Sequence, residues 1–233
     1  MDTDNHCTNG EEGMRPLRNW MNAGIGGACI LFASAFMICL NVKALAFPSA
    51  ASKPGPAPAK VVVDLSDQSI TDDKLIVLLA SGVIPLNVTE LDLFWNQVSD
   101  ISPLRPLTNL TELNLSNNQI SDISPITALT SLTKLSLSSN KINDISPLSS
   151  LTNLTSLHLS EIQINDISPL RSLTNLTELD LFGNQISDIS PLSSLTKLTE
   201  LNLENNELIT QQQIEDLKLT LPNCKIHVSI YED

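Results

Sequence analysis

Aromatic side chains are scarce in this 233-residue chain: two tryptophans, one tyrosine and five phenylalanines make up 3%. A core must therefore be built from aliphatic side chains. Positive charge is scarce too, with 13 Lys+Arg against 26 Asp+Glu. Residues 61 to 233 hold 8 of the former and 22 of the latter, a net of −14. Repulsion at every approach excludes nucleic acid and anionic membrane surfaces as partners of that part; a protein with a basic surface fits better. The four cysteines, Cys7, Cys29, Cys39 and Cys224, show no CxxC or Cys/His spacing. Neither a disulfide framework nor a zinc site follows, and Cys224 reads as a buried structural thiol. No HExxH, GxSxG, P-loop or paired His/Cys constellation is present, so the expectation is a non-catalytic protein with no metal and no cofactor.

What is present begins with an uncharged run, "AGIGGACILFASAFMICL", residues 23 to 40. It follows Arg15 and Arg18 and leads to Ala44 and Ala46 at A-x-A spacing, the layout of a secretory signal peptide cleaved after Ala46. Residues 1 to 13 are acidic and suit such a signal poorly, whereas a start at Met14 gives the basic "MRPLRNWM". Eighteen apolar residues are also just long enough for an uncleaved anchor. Export to a secreted or periplasmic location is therefore expected, with an inner-membrane tether and an outside domain as the alternative. Residues 47 to 60, "FPSAASKPGPAPAK", have little to bury and read as an extended linker.

The body falls into lines of 22. They are "VTELDLFWNQVSDISPLRPLTN" (88 to 109), "LTELNLSNNQISDISPITALTS" (110 to 131), "LTKLSLSSNKINDISPLSSLTN" (132 to 153), "LTSLHLSEIQINDISPLRSLTN" (154 to 175) and "LTELDLFGNQISDISPLSSLTK" (176 to 197). A sixth line opens at 198 and then diverges. Leu113 and Leu115 alternate with Asn114, which predicts a short strand with one face inward. Asn118 follows that strand, where an amide that donates and accepts can serve the backbone of its own turn and of the neighbouring one. Asn96, Asn140, Asn184 and Asn206 hold the same place, and Ile162 replaces the amide in the fourth line, through drift or a local distortion beside His158. Ser124 and Pro125 read as N-cap and N1 of a short helical turn. A repeat with two open flat sides cannot bury its own leucines, so the lines must stack and the ends must be closed.

Residues 61 to 87 predict the first cap, a helix in "ITDDKLIVLLASGVIP" with Thr71 as N-cap and Gly82 beyond its last turn. Residues 209 to 233 predict the second: Thr210 and Gln213 form a capping box, and "KIHVSI" adds a last strand.

The 22-residue lines with "NQISDISPLxxLTNLT" resemble the leucine-rich repeats of bacterial internalins and related secreted or surface proteins, over about 88 to 208. The resemblance implies a right-handed solenoid of α/β class with a concave parallel sheet that binds another protein. It does not extend to an immunoglobulin-like domain or a sortase motif, and an adhesin role is not expected.

Outward strand positions stack in columns. The first holds Glu90, Glu112, Lys134, Ser156, Glu178 and Glu200; the second Asp92, Asn114, Ser136, His158, Asp180 and Asn202; the third Phe94, Ser116, Ser138, Ser160, Phe182 and Glu204. The coil does not dictate these residues, so they are the place to seek function. Phe94, Trp95, Lys134, His158, Glu178, Asp180 and Phe182 are the candidate partner contacts, aromatics being enriched at binding hot spots. Trp95 has a second reading, as filler of the step between the first helix and the first repeat. Gly183 occupies the equivalent place after Phe182, so the fold does not demand tryptophan there. His158 lies between serines and, with no second ligand or carboxylate to orient it, reads as exposed filler. Asp100, Asp122, Asp144, Asp166 and Asp188 recur every 22 residues and read as acceptors for backbone N–H groups of their turns. The alternative to a binding module is a tethered envelope protein acting as a spacer.

Overall fold

The computed structural model describes residues 28–30, 38–40 and 59–229. The leader, the start at Met14 and the linker to residue 58 lie outside the described residues, apart from two three-residue strands. These, β1 (Ala28–Ile30) and β2 (Ile38–Leu40), pair antiparallel. No helix among the described residues is long and apolar enough to cross a membrane.

From residue 59 onward the chain winds as a coil in which each turn contributes one three-residue strand. β3 (Val62–Asp64), β4 (Glu90–Asp92), β5 (Glu112–Asn114), β6 (Lys134–Ser136), β7 (Ser156–His158), β8 (Glu178–Asp180), β9 (Glu200–Asn202) and β10 (Lys225–His227) form one eight-stranded parallel sheet in chain order. The register follows the 22-residue period without a slip: Leu91, Leu113, Leu135, Leu157, Leu179 and Leu201 stand side by side and are all buried. Alternation decides this. Any one-residue shift would turn the leucine row to solvent and the carboxylates inward.

On the opposite side of the coil, 3₁₀ turns run Ser102–Leu104, Ser124–Ala128, Ser146–Ser150, Ser168–Ser172 and Ser190–Ser194. The serine of each opens the turn from inside; the capping position belongs to the isoleucine before it, with no side-chain cap bond. This corrects the assignment of Ser124 as N-cap. The aspartate two residues upstream does the capping instead: Oδ1 of Asp100, Asp122, Asp144, Asp166 and Asp188 accepts the N–H of the turn serine at 2.7–2.8 Å. Those N–H bonds, then the serine hydroxyls, hold the carboxyls of Asp122, Asp166 and Asp188 below the usual aspartate range.

Behind the strands, ladder asparagines join neighbouring turns. Nδ2 of Asn118 donates to the carbonyls of Leu115 in its own turn and Leu93 in the one before, at 3.0 and 2.9 Å, while its Oδ1 accepts from Val98 N–H at 3.0 Å. Asn96, Asn140, Asn184 and Asn206 repeat the pattern. Ile162 breaks it. The Ile142 N–H has no such amide to meet, and Gln163 turns left-handed at φ 62°. The equivalents of Gln163, namely Gln97, Gln119, Lys141 and Gln185, each donate to a carbonyl of the turn before. The substitution therefore comes with a local change of path beside His158.

Helices stand at both ends. α1 (Asp72–Ala80) buries Leu75 and Leu78 and ends at Gly82, whose φ of 75° a side chain would resist. Its N-cap Thr71 makes no side-chain cap bond; Asp72 in the first turn instead reaches the next repeat, accepting from Ser99 and Asp100. Burial pushes the Asp72 carboxyl up, but these bonds outweigh it and hold it below its ordinary value. α2 (Gln211–Thr220) buries Ile214 and Leu217, and Thr210 and Gln213 form a reciprocal capping box.

Candidate functional site

Strand pairing aligns the outward residues in the rows that the period implies: Glu90, Glu112, Lys134, Ser156, Glu178, Glu200 and Lys225 in one, Asp92, Asn114, Ser136, His158, Asp180, Asn202 and His227 in the next. The ladder runs on past the strands, Trp95 N–H donating to Ser116 and Gly183 N–H to Glu204, which keeps the third row in step.

In the first row each glutamate has a basic side chain beside it. Glu90 pairs with Lys60, Glu112 with Lys134 at 3.0 Å, Glu178 with His158 at 3.4 Å and Glu200 with His227 at 3.5 Å. The basic partner in each pair is open to solvent, so the pairs are weakly held.

The second row is less free than its outward position suggests. Oδ1 of Asp92, Asn114, Asp180 and Asn202 turns back to accept the N–H two residues on, at 2.8–3.1 Å. A short carboxylate or amide at the end of a strand makes this bond readily. Ser136, His158 and the terminal His227 depart from the rule.

His158 has the carboxylate partner that its sequence neighbours do not reveal. Besides Glu178 at 3.4 Å, Ser156 Oγ lies 3.2 Å from the same Nε2 and donates to Glu178 Oε2 at 3.0 Å. The reading of His158 as an unoriented imidazole is thus corrected: the partner comes from the next strand, 20 residues away, through the register. Serine, histidine and glutamate meet here, but hydroxyl and carboxylate approach one ring nitrogen. A nucleophile–base–acid relay needs them on opposite nitrogens, so the cluster organises charge rather than a relay.

The third row carries the aromatics. Phe94 and Phe182 are half-buried, with Ser116, Ser138 and Ser160 between them. Ser160 Oγ donates to Asp180 at 2.6 Å, and Ser138 Oγ accepts from Ser160 N–H at 3.0 Å. Trp95 is 61% exposed and meets Phe94 edge-on, ring centroids 6.0 Å apart. It does not fill the step behind the first helix. Its backbone is left-handed, φ 54°, as are Asn117, Ser139, Glu161, Gly183 and Asn205 at the same place in the other turns. Glycine and asparagine adopt that conformation easily; a bulky side chain does so against a penalty of about 1–2 kcal/mol. Asn117, Gly183 and Asn205 in one column were the sequence signal for it.

The first two rows line a shallow groove of about 500 Å³ across β3 to β8, bounded by Asp64, Glu90, Asp92, Lys134, His158 and Glu178 among others. Phe94, Trp95, Asp180 and Phe182 stand outside its lining. No group of three or more His, Cys, Asp or Glu with metal-holding geometry occurs among the described residues.

Comparison with known proteins gives a consistent answer. The family described as Leucine Rich repeats (2 copies) matches residues 86–128, 130–172 and 174–219. Among solved structures, an internalin (inlF) from Listeria monocytogenes is 30% identical with a TM-score of 0.59, the match covering 75% of this chain and 49% of that one. Internalin C2 (inlC2) from the same species is 33% identical with a TM-score of 0.57, covering 72% of this chain and 80% of that one. The chain thus spans about half the length of the first. No curated protein matches.

Proposed function

We propose, for a chain that belongs to the internalin-like leucine-rich repeat proteins, that it is an exported binding module whose outward sheet face grips another protein. The fold is that of a protein–protein interaction module; the face, the residues and the export are proposed. One observation carries it: the groove across β3 to β8 is lined by outward first- and second-row positions, and at Ser136 and His158 the second row departs from the residue type the coil favours. Phe94, Trp95 and Phe182 supply apolar contact beside that groove, Lys134, Glu178 and Asp180 supply charge, and His158 supplies a polar ring. The acid excess favours a partner with a basic surface. Export is supported by the uncharged run at 23 to 40 and the A-x-A spacing after it.

The test is capture of the native partner by the chain and by a Phe94→Ala/Phe182→Ala variant. Reduced capture with an unchanged thermal midpoint is expected, since neither ring belongs to the core; undiminished capture would move the contact to another face. The uncharged run also supports a tethered spacer as a second reading. Fractionation separates the two, because a soluble species lacking residues 1 to 46 leaves no tether.

A further inference from the structure

The outward pattern Glu-x-Asp-x-Phe occurs twice. β4 carries Glu90 and Asp92 with Phe94 two residues beyond it, and β8 carries Glu178 and Asp180 with Phe182 two residues beyond it. The strand that follows repeats as well: Glu112 and Asn114 on β5, Glu200 and Asn202 on β9. Register sets Glu112 beside Glu90 and Glu200 beside Glu178. In both copies the aspartate Oδ1 accepts the phenylalanine N–H, at 2.8 and 3.0 Å. The two constellations are one arrangement displaced by four strands, or about 19 Å at ordinary strand spacing.

Each constellation sets two carboxylates on neighbouring strands with an aspartate and an aromatic ring close by. Like charges so placed repel. An ammonium or guanidinium relieves that repulsion, forms charge-assisted hydrogen bonds, and meets the ring face favourably. Every one of the four glutamates already draws a basic side chain of its own chain: Lys60, Lys134, His158 and His227. These exposed pairs are weak enough for a partner's cation to replace. β6 and β7, between the copies, place Lys134, Ser136, Ser156 and His158 outward and no carboxylate in the first two rows. A third cation would meet Lys134 there and no carboxylate belonging to those strands.

We infer that the sheet face is a two-point reader of basic side chains: its partner presents two lysines or arginines about 19 Å apart, with neutral residues facing the middle. In an extended segment that is the distance from residue i to i+6, and both then point to the same side. Trp95 gives the first subsite an aromatic contact that Gly183 denies the second. The inference rests on the sheet face being the binding surface, and its test is separable from that reading.

Peptides of equal composition, each with two arginines in a serine background, are titrated against the full chain. The arginines stand two, four or six residues apart. Two variants accompany them, Glu90→Gln/Glu112→Gln and Glu178→Gln/Glu200→Gln, whose outward positions leave the core untouched. The six-residue spacing is expected to bind about tenfold tighter than the two-residue spacing, as a linked pair of sites requires, and either glutamine pair is expected to erase the difference. Affinity that follows total charge with no dependence on spacing, or that survives both glutamine pairs, overturns the inference. If native-partner capture still depends on Phe94 and Phe182 while the peptide result fails, the two-point reading falls and the binding face stands. If neither holds, both fall.

Discussion

From the start of β4 and of β8 the chain runs through the same residues, Glu-Leu-Asp-Leu-Phe, and then parts: Trp95 follows the first stretch and Gly183 the second. The backbone is left-handed at both, φ 54° and 66°. Glycine is what that conformation favours, and tryptophan is what it penalises, so at one end of the face the sequence follows the coil and at the other it departs from it. Departures of this kind concentrate where a protein does something other than fold. The inward residues of the two strands, by contrast, are interchangeable because burial alone decides them.

That contrast is sharpest where the two strands should behave alike. Leu93 and Leu181 are fully buried, and Leu93→Ala and Leu181→Ala are each expected to cost about 2–5 kcal/mol in denaturant unfolding. A marked inequality between them would mean that the strands are not equivalent inside the coil. Next come the ladder amides behind each strand. Asn96→Ala and Asn184→Ala each strip acceptor and donor from buried backbone, and a loss of about 1–3 kcal/mol is expected for both by the same measurement.

The left-handed position should then separate the strands. Trp95→Gly is expected to raise stability by about 1 kcal/mol while weakening partner capture. Gly183→Trp is expected to lower stability by about 1–2 kcal/mol, since a Cβ there also meets Glu161 Cγ at 3.2 Å. Equal and opposite thermal shifts with capture unaffected by the first change would reduce Trp95 to an accident of surface.

The smallest effect belongs to three of the turns and concerns acid. Asp122, Asp166 and Asp188 have their carboxyls lowered by the N–H and hydroxyl of the following serine. A group lowered in the folded state stabilises above the unfolded aspartate value, about 4, and loses that contribution as pH falls through its folded value. Urea midpoints should be flat near neutrality and decline in acid. Replacing the three by asparagine, which keeps an acceptor oxygen, should flatten the decline without a large loss at pH 7.

The fold was legible because a 22-residue period with leucines at alternate places leaves only one way to stack. Leu113 and Leu115 announced the strand, and one register satisfied every copy. The face was legible only in part. Its rows could be read from the period, but the return bonds of Asp92 and Asp180 to the backbone, and the approach of Glu178 to His158, depend on neighbouring turns rather than neighbouring residues. The turn serines misled for a related reason: serine before proline has the composition of an N-cap, yet Asp122 sits two residues earlier with the better acceptor. The left-handed column was written in Asn117, Gly183 and Asn205, and Trp95 concealed it by being the residue least suited to the conformation.

The claim on which the function depends is that partners meet the sheet side of the coil. A photo-crosslinking amino acid placed at Ser136, in the groove, and separately at Ser149, on the exposed 3₁₀ side, tests it directly in the native setting. A partner adduct from position 136 and none from position 149 is the expected result; an adduct from position 149 alone would contradict it.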